Sequence, residues 1–159
     1  MLQQIRTFFL GKMEPQDKQN QVARRSRIAL ATAALLLEMA HADSDFSQIE
    51  KQKILEILKT RFHLSASDTL TLLELAEQER DESLDIWQFT NMINKYYDIF
   101  EKRELLEILW TIVYIDGKAD MYEEYLMRKL NNLLNMDHHD MIEAKLLAKH
   151  NLNDNQSEE

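Results

Sequence analysis

Apolar residues recur at helical spacing along most of this 159-residue chain, and short polar joints separate the periodic segments. Start signals such as Ser47 with Glu50, Asp98 with Glu101 and Asp120 with Glu123 mark where helices begin. The pattern predicts helices over residues 17–42, 48–62, 66–79, 85–97, 99–115, 121–135 and 138–149. A charged joint at residues 79–82 and a frayed polar tail at 151–159 complete this prediction.

Two of these helices are apolar on nearly every side, over residues 28–42 and 105–115. A helix of that kind belongs in the middle of a bundle, because amphipathic helices must cover it all round. The sequence therefore predicts an all-α, single-domain bundle of about seven or eight helices with these two at its centre.

The surroundings of the two apolar helices repeat. Ala42-Asp43-Ser44 ends the first helix, and Ile115-Asp116-Gly117 ends the second. Each Asp is followed seven positions on by a glutamate, Glu50 or Glu123, that starts an amphipathic helix. This spacing indicates a degenerate internal duplication of a buried helix, an acidic loop and an amphipathic helix.

A small residue followed by Asp-Gly, five further residues and Glu, placed between such helices and repeated, resembles the tellurite-resistance TerB-like family. The resemblance covers residues 24–149, with Ser44 standing where the family favours Gly. It implies an all-α bundle that occurs alone or fused to other modules, a link to stress response, and acidic clusters proposed to bind metal ions. It implies no enzyme. We accordingly predict an amphipathic extension at 1–16, a TerB-like domain at 17–150 and a disordered acidic tail at 151–159.

Composition narrows the chemistry. Two glycines and one proline are too few for an all-β fold or a glycine-rich phosphate loop. The absence of cysteine excludes disulfides, thiol catalysis and cysteine-ligated zinc, and agrees with a cytoplasmic location. Arg24-Arg25 before an apolar run imitates an export signal. The run is only ten residues long, however, and it forms the buried helix of the first repeat, so we expect it to stay in the folded protein. We expect no transmembrane segment, and no catalytic constellation stands out.

Charge is unevenly distributed. The net charge is −9, and residues 1–30 hold six basic and two acidic side chains, so the remainder carries −13. Such a body repels phosphate backbones, which argues against nucleic acid, and attracts cations or a basic protein partner.

The two acidic loops are the candidate metal sites, because Ca²⁺ and Mg²⁺ prefer oxygen ligands. The first loop supplies Asp43, Asp45 and Glu50, and the second supplies Asp116, Asp120, Glu123 and Glu124. Neither is an EF-hand, since Ile54 and Met127 stand where that loop needs its last glutamate.

A structural role competes with metal binding at several of these positions. Capping boxes explain Glu50 and Glu123, and helix capping explains Asp120. Asp43 and Asp116 lie just past the C-terminal ends of helices, where a negative charge costs about 0.3–1 kcal/mol. A cation offsets that cost, and so does a backbone N–H in a turn. The sequence does not determine whether the two central helices run parallel or antiparallel. We expect them to be antiparallel, which would put the two acidic loops at opposite poles of the bundle.

Two functions remain. One is a non-enzymatic, stress-linked module whose loops bind a divalent cation, and the other is an acidic adaptor for a basic protein partner. Residues 2–10 form a further apolar face, with Leu2, Ile5, Phe8 and Phe9. This face is expected to dock on the bundle, while membrane-surface contact would be weak and a second subunit is the alternative.

Overall fold

The computed structural model describes residues 19–42, 46–82, 86–115 and 119–157, and across these ranges it contains helices and no strand. The helices are α1 (Gln19–Ala40), α2 (Gln48–Phe62), α3 (Ala66–Glu82), α4 (Trp87–Tyr96), α5 (Ile99–Val113), α6 (Met121–Leu133) and α7 (His138–Ser157). The prediction of an all-α bundle is confirmed.

Helices α1 and α5 form the centre of the bundle. From Ile28 to Ala40 every residue of α1 except Glu38 is buried, and the buried face of α5 runs from Leu105 to Val113. Helix α1 packs against α2, α3, α4 and α5, while α5 packs against α1, α2, α6 and α7. Their all-round apolarity is therefore matched by neighbours on several sides, as predicted.

The duplication extends further than the sequence pattern indicated. Helices α1, α2 and α3 form one half, α5, α6 and α7 form the other, and α4 joins them. Within each half the central helix packs most extensively against the third helix. The register that aligns Asp43 with Asp116 also aligns Leu36 with Leu109, and both leucines are fully buried. When the alignment is shifted by one residue, Ala76 in α3 corresponds to Ala148 in α7, and both alanines are also fully buried.

Helices α2 and α6 end in the same way. His63 (φ 54°) and Asn135 (φ 59°) both adopt the left-handed conformation immediately after the helix or one residue beyond it. The next residue, Leu64 or Met136, is buried and donates its N–H to a carbonyl five residues earlier at 3.0 Å. These bonds satisfy carbonyls that a helix end would otherwise leave unpaired.

A cation from the central helix completes each of these helix ends. The Arg25 guanidinium donates to the Phe62 carbonyl at the end of α2. Lys102 Nζ donates to the Leu134 carbonyl at the end of α6, at 3.0 Å. A positive charge at a helix C-terminus is favourable because it faces the negative end of the helix dipole. These contacts fix where each central helix begins relative to the helix beside it.

Two tyrosines at the C-terminal end of α4 contact α1 and α2. Tyr96 accepts a hydrogen bond from Arg27 at 3.2 Å, and this bond lowers the pKa of the Tyr96 hydroxyl. Tyr97 accepts from Arg61 at 3.1 Å, and its hydroxyl lies 3.5 Å from that of Thr32. The segment of α1 from Arg27 to Thr32, the end of α2 and the end of α4 therefore meet at one junction.

Two predicted boundaries are wrong. The charged stretch 79–82, expected as a joint, forms the last turn of α3, because Arg80 binds Glu38 at 2.8 Å and Glu77 at 3.3 Å. Residues 151–157, expected as a disordered tail, continue α7 to Ser157. Asn151 Nδ2 donates to Glu107 on α5 at 2.8 Å and holds that extension against the bundle.

Helix α7 begins with a reciprocal cap made by two aspartates. Asp137 Oδ1 accepts from the Asp140 N–H at 2.8 Å, and Asp140 Oδ2 accepts from the Asp137 N–H at 3.3 Å. Asp140 is buried and also accepts from Arg103 Nε at 2.9 Å. The bond from the Asp140 backbone is the main cause of the lowered pKa of Asp137.

We expect Leu36→Ala and Leu109→Ala each to lower the free energy of unfolding by about 2–5 kcal/mol, because each leaves a cavity in the core. Leu146→Ala is the control, since that side chain is 60% exposed. It should change stability by less than about 0.5 kcal/mol. Urea denaturation followed by circular dichroism measures all three, and a Leu36 or Leu109 variant as mild as the control would contradict this account of the core.

The Asp137 cap predicts a dependence of stability on pH. A carboxyl with a lowered pKa contributes stability above its unfolded pKa, here the ordinary value of 3.8, and loses it as pH falls through the folded pKa. The wild type should therefore exceed Asp137→Asn in unfolding free energy by a constant amount above pH 5 and by progressively less below pH 4. Urea titrations from pH 2.5 to 7 test this, and a difference that does not change with pH would refute it.

Candidate functional site

The predicted site residues fall into two groups. Asp43, Asp45 and Asp116 lie outside the described residues, so their placement stays a prediction. Glu50 lies in the first turn of α2, and Asp120, Glu123 and Glu124 lie at the start of α6. The structure therefore describes the first turn of the helix that follows each acidic loop, here called the base of that loop.

The full capping box predicted at Asp120 and Glu123 is confirmed, and at the start of α2 the Ser47 side-chain cap is confirmed. Ser47 Oγ accepts from the Glu50 N–H at 3.2 Å. Asp120 Oδ1 accepts from the Glu123 N–H at 2.7 Å, and Glu123 Oε1 accepts from the Asp120 N–H at 3.2 Å. Polar groups at the first turns of α2 and α6 are thus satisfied locally.

Glu50 and Glu123 are also buried, which capping alone does not require. Glu50 is 6% exposed and Glu123 is 4% exposed, and the two occupy equivalent positions in the halves. Glutamate is almost never fully buried unless it is paired. A helix N-terminus favours the ionised form because the positive end of the helix dipole lies there. Each half therefore holds one buried glutamate in the first turn of the helix that follows its acidic loop in the sequence.

Glu124 already has a cationic partner within the chain. Lys145 Nζ on α7 lies 3.0 Å from Glu124 Oε1 and 5.1 Å from the centre of the Trp110 ring. Partial burial lowers the pKa of Lys145, but its bonds to Glu124 and Tyr114 outweigh burial and leave the pKa raised. A metal ion at Glu124 would have to compete with this ammonium group.

Within ranges 19–42, 46–82, 86–115 and 119–157, no three or more His, Asp or Glu side chains converge closely enough to hold a metal ion. Glu50, Asp120, Glu123 and Glu124 therefore do not make a site by themselves. A complete site in either half needs carboxylates from Asp43, Asp45 or Asp116.

Comparison with known families agrees with this architecture. A model of the family described as tellurite resistance protein TerB matches residues 29–146, from α1 into α7. The chain belongs to the TerB family. The match spans both halves and both acidic loops, which confirms the resemblance carried by the repeated acidic pattern. A search of curated proteins and a search of solved structures each returned no match.

The TerB match supports a tellurite-resistance-like module at the level of the family. No helix in the described part of this TerB chain is long and apolar enough to cross a membrane.

Sequence reasoning missed a polar network where α1 ends. His41 Nε2 lies 3.3 Å from Glu77 Oε1 on α3, and its ring centre lies 4.6 Å from that of Phe46, just after the first acidic loop. Arg80 joins Glu77 to Glu38 in the same network. These contacts tie the base of the loop to α3. Local sequence carries no signal for them, because α2 lies between His41 and Glu77 in the chain.

Three exposed apolar side chains follow the second acidic loop of this TerB protein. Met121 is 87% exposed, and the rings of Tyr122 and Tyr125 lie side by side with centres 6.4 Å apart. Asp120 and Glu124 border these residues in the sequence. Apolar groups beside carboxylates are suited to contact with a partner that is both apolar and basic.

The Glu124–Lys145 pair should be worth about 0.5–1 kcal/mol, because both side chains are partly exposed. A double-mutant cycle with Glu124→Gln and Lys145→Met measures this coupling through urea unfolding. The coupling energy should decrease in 1 M NaCl, where the Debye screening length is about 3 Å. Lys149→Met is the control, since Lys149 lies over Tyr114, and it should be additive with Glu124→Gln. Equal coupling for both lysines would argue against a specific pair.

Proposed function

We propose that this TerB-family chain is a non-enzymatic module that binds a divalent cation of the Ca²⁺ or Mg²⁺ class through its acidic loops. The observation that carries the proposal is the pair of buried glutamates, Glu50 and Glu123, at equivalent positions in the first turns of the helices that follow the loops. Each follows by seven residues an aspartate, Asp43 or Asp116, which comes three residues after the last residue of a central helix in the sequence.

The capped helix starts support this function by fixing ligands in advance. The Glu123 carboxylate is held by the Asp120 N–H at 3.2 Å, and Glu50 is buried at the equivalent position, so these side chains lose little conformational freedom when a cation arrives. For Asp43 and Asp116 the helix dipole is unfavourable, since each adds negative charge after a helix C-terminus. A bound cation offsets this repulsion, which makes cation binding stabilising for the folded chain.

The two loops offer different ligand sets. The first has Asp43, Asp45 and Glu50, and the second has Asp116, Asp120 and Glu123, with Glu124 engaged by Lys145. Carboxylate oxygens in these numbers suit hard cations, with water completing the coordination.

The alternative is an acidic adaptor that binds a basic protein partner without metal. The exposed Met121, Tyr122 and Tyr125 favour it, because aromatic residues and methionine are enriched at protein interfaces. The net charge of −9 would speed association with a basic surface. The two functions differ in whether metal alone changes the folded state.

We expect millimolar Ca²⁺, Mg²⁺, Mn²⁺ or Zn²⁺ to raise the melting temperature of the metal-stripped protein, because a ligand that binds only the folded state stabilises it. The double variant Asp43→Asn, Asp116→Asn should lose that rise. Without metal it should be as stable as the wild type or slightly more stable, since two charges at helix C-terminal ends are gone. Differential scanning calorimetry and isothermal titration calorimetry measure both effects.

Asp81→Asn with Asp154→Asn is the matched control, because it removes the same charge from exposed positions in α3 and α7. It should keep the metal-induced rise. If none of the four metals shifts the wild-type melting temperature, the cation function is wrong and the adaptor function takes its place.

A further inference from the structure

A groove of about 500 Å³ lies between α2 and α3 on the outer side of the first half. Leu55 and Leu70 form its apolar lining, and Gln52, Glu56 and Lys59 follow the α2 side. Leu70 is 43% exposed and Leu55 is half-buried. The groove therefore presents apolar surface that no described segment of the chain covers.

The corresponding seam of the second half is bridged by charge. There, Glu124 on α6 and Lys145 on α7 face each other at 3.0 Å. In the register that pairs Glu50 with Glu123, Lys51 corresponds to Glu124, and in the register that aligns Ala76 with Ala148, Leu73 corresponds to Lys145. A lysine and a leucine cannot form an ion pair, so the bridge of the second half has no counterpart at these positions of the first half.

We propose that residues 2–10 of this chain are that occupant and dock in the α2–α3 groove as a short amphipathic helix. Leu2, Ile5 and Phe9 share one helical face, with Phe8 beside it. A helix of nine residues is about 13 Å long, and the wall from Gln52 to Lys59 is about 10 Å long. The apolar face and the groove therefore match in length.

The start of α1 brings this segment within reach of the groove. Arg25 lies six residues after the first residue of α1 and binds the Phe62 carbonyl, so the second turn of α1 lies beside the end of α2. Lys59 and Ala66, which lie on either side of the α2–α3 turn, line the same end of the groove. Residues 11–18 can span up to about 27 Å, and Gly11 and Pro15 suit a change of direction.

Charge agrees with this placement. Glu56 lines the groove, and its side chain is 70% exposed, with Lys53 only at 4.0 Å. Arg6 flanks the apolar face of residues 2–10 and would meet this carboxylate at the rim. A membrane surface is the weaker match for the segment, because two nearby cations, Arg6 and Lys12, hold a bilayer poorly.

The absence of cysteine allows a direct test by disulfide trapping in the full chain. Phe9→Cys with Leu70→Cys should form an intramolecular disulfide in oxidised glutathione, because docking brings the two β-carbons within bonding range. The control pairs Phe9→Cys with Leu146→Cys, an exposed site in the other half. We expect trapping at least about tenfold faster for the first pair, since docking raises the effective concentration. Ile5→Cys with Leu55→Cys is a second test pair in case the first perturbs folding, which circular dichroism monitors.

Each other result overturns the proposal. Equal rates for the test and control pairs mean that residues 2–10 do not select the groove. A disulfide between chains, seen as a dimer on a non-reducing gel, assigns the groove to a second copy. Failure to trap, together with sedimentation of the wild type but not Phe8→Asp, Phe9→Asp on phosphatidylserine vesicles, assigns the segment to a membrane surface. None of these outcomes depends on metal, so the proposal and the cation function are tested separately.

Discussion

Two helices without a polar face impose the main constraint on this molecule, because each must be covered on all sides before the chain is stable in water. Helices α2, α3 and α4 do this for α1, helices α6 and α7 do it for α5, and the central pair cover each other. Polar groups are thereby confined to the outer helices and to helix ends. The acidic loops therefore follow the central helices, where the buried segments stop.

The ends of the second helix in each half are stabilised by the same kinds of contact. In both halves a serine or aspartate caps the start of the second helix, a left-handed residue follows its end, and a cation from the central helix binds its final carbonyls. Buried carboxylates are tolerable at the capped starts because N–H groups and the helix dipole stabilise negative charge. The enclosed position of Glu50 and Glu123 follows from this arrangement.

The sequence predicts those features of the structure that depend on contacts between residues close together in the chain, such as helix starts. The bounds of α2 agree with the prediction residue for residue, and its start is determined by a local signal, Ser47 with Glu50. The extent of α3 and α7 was missed because Arg80 and Asn151 are held by Glu38 and Glu107, far away in sequence. At the site, the caps were predictable, whereas the burial of Glu50 and Glu123 and the pairing of Glu124 depend on tertiary packing.

Duplication preserves the core of the two halves and leaves their surfaces free to differ. Core positions such as Leu36 and Leu109 remain equivalent because a polar substitution in either would bury a polar group among apolar neighbours. Positions at the edge of the core tolerate both polar and apolar side chains, so Glu124 and Lys145 in one half correspond to Lys51 and the buried Leu73 in the other. The second half consequently has a bridged seam beside an exposed aromatic patch, while the first has an open apolar groove. One scaffold thus presents two chemically distinct surfaces, and a function specific to either half must come from its surface.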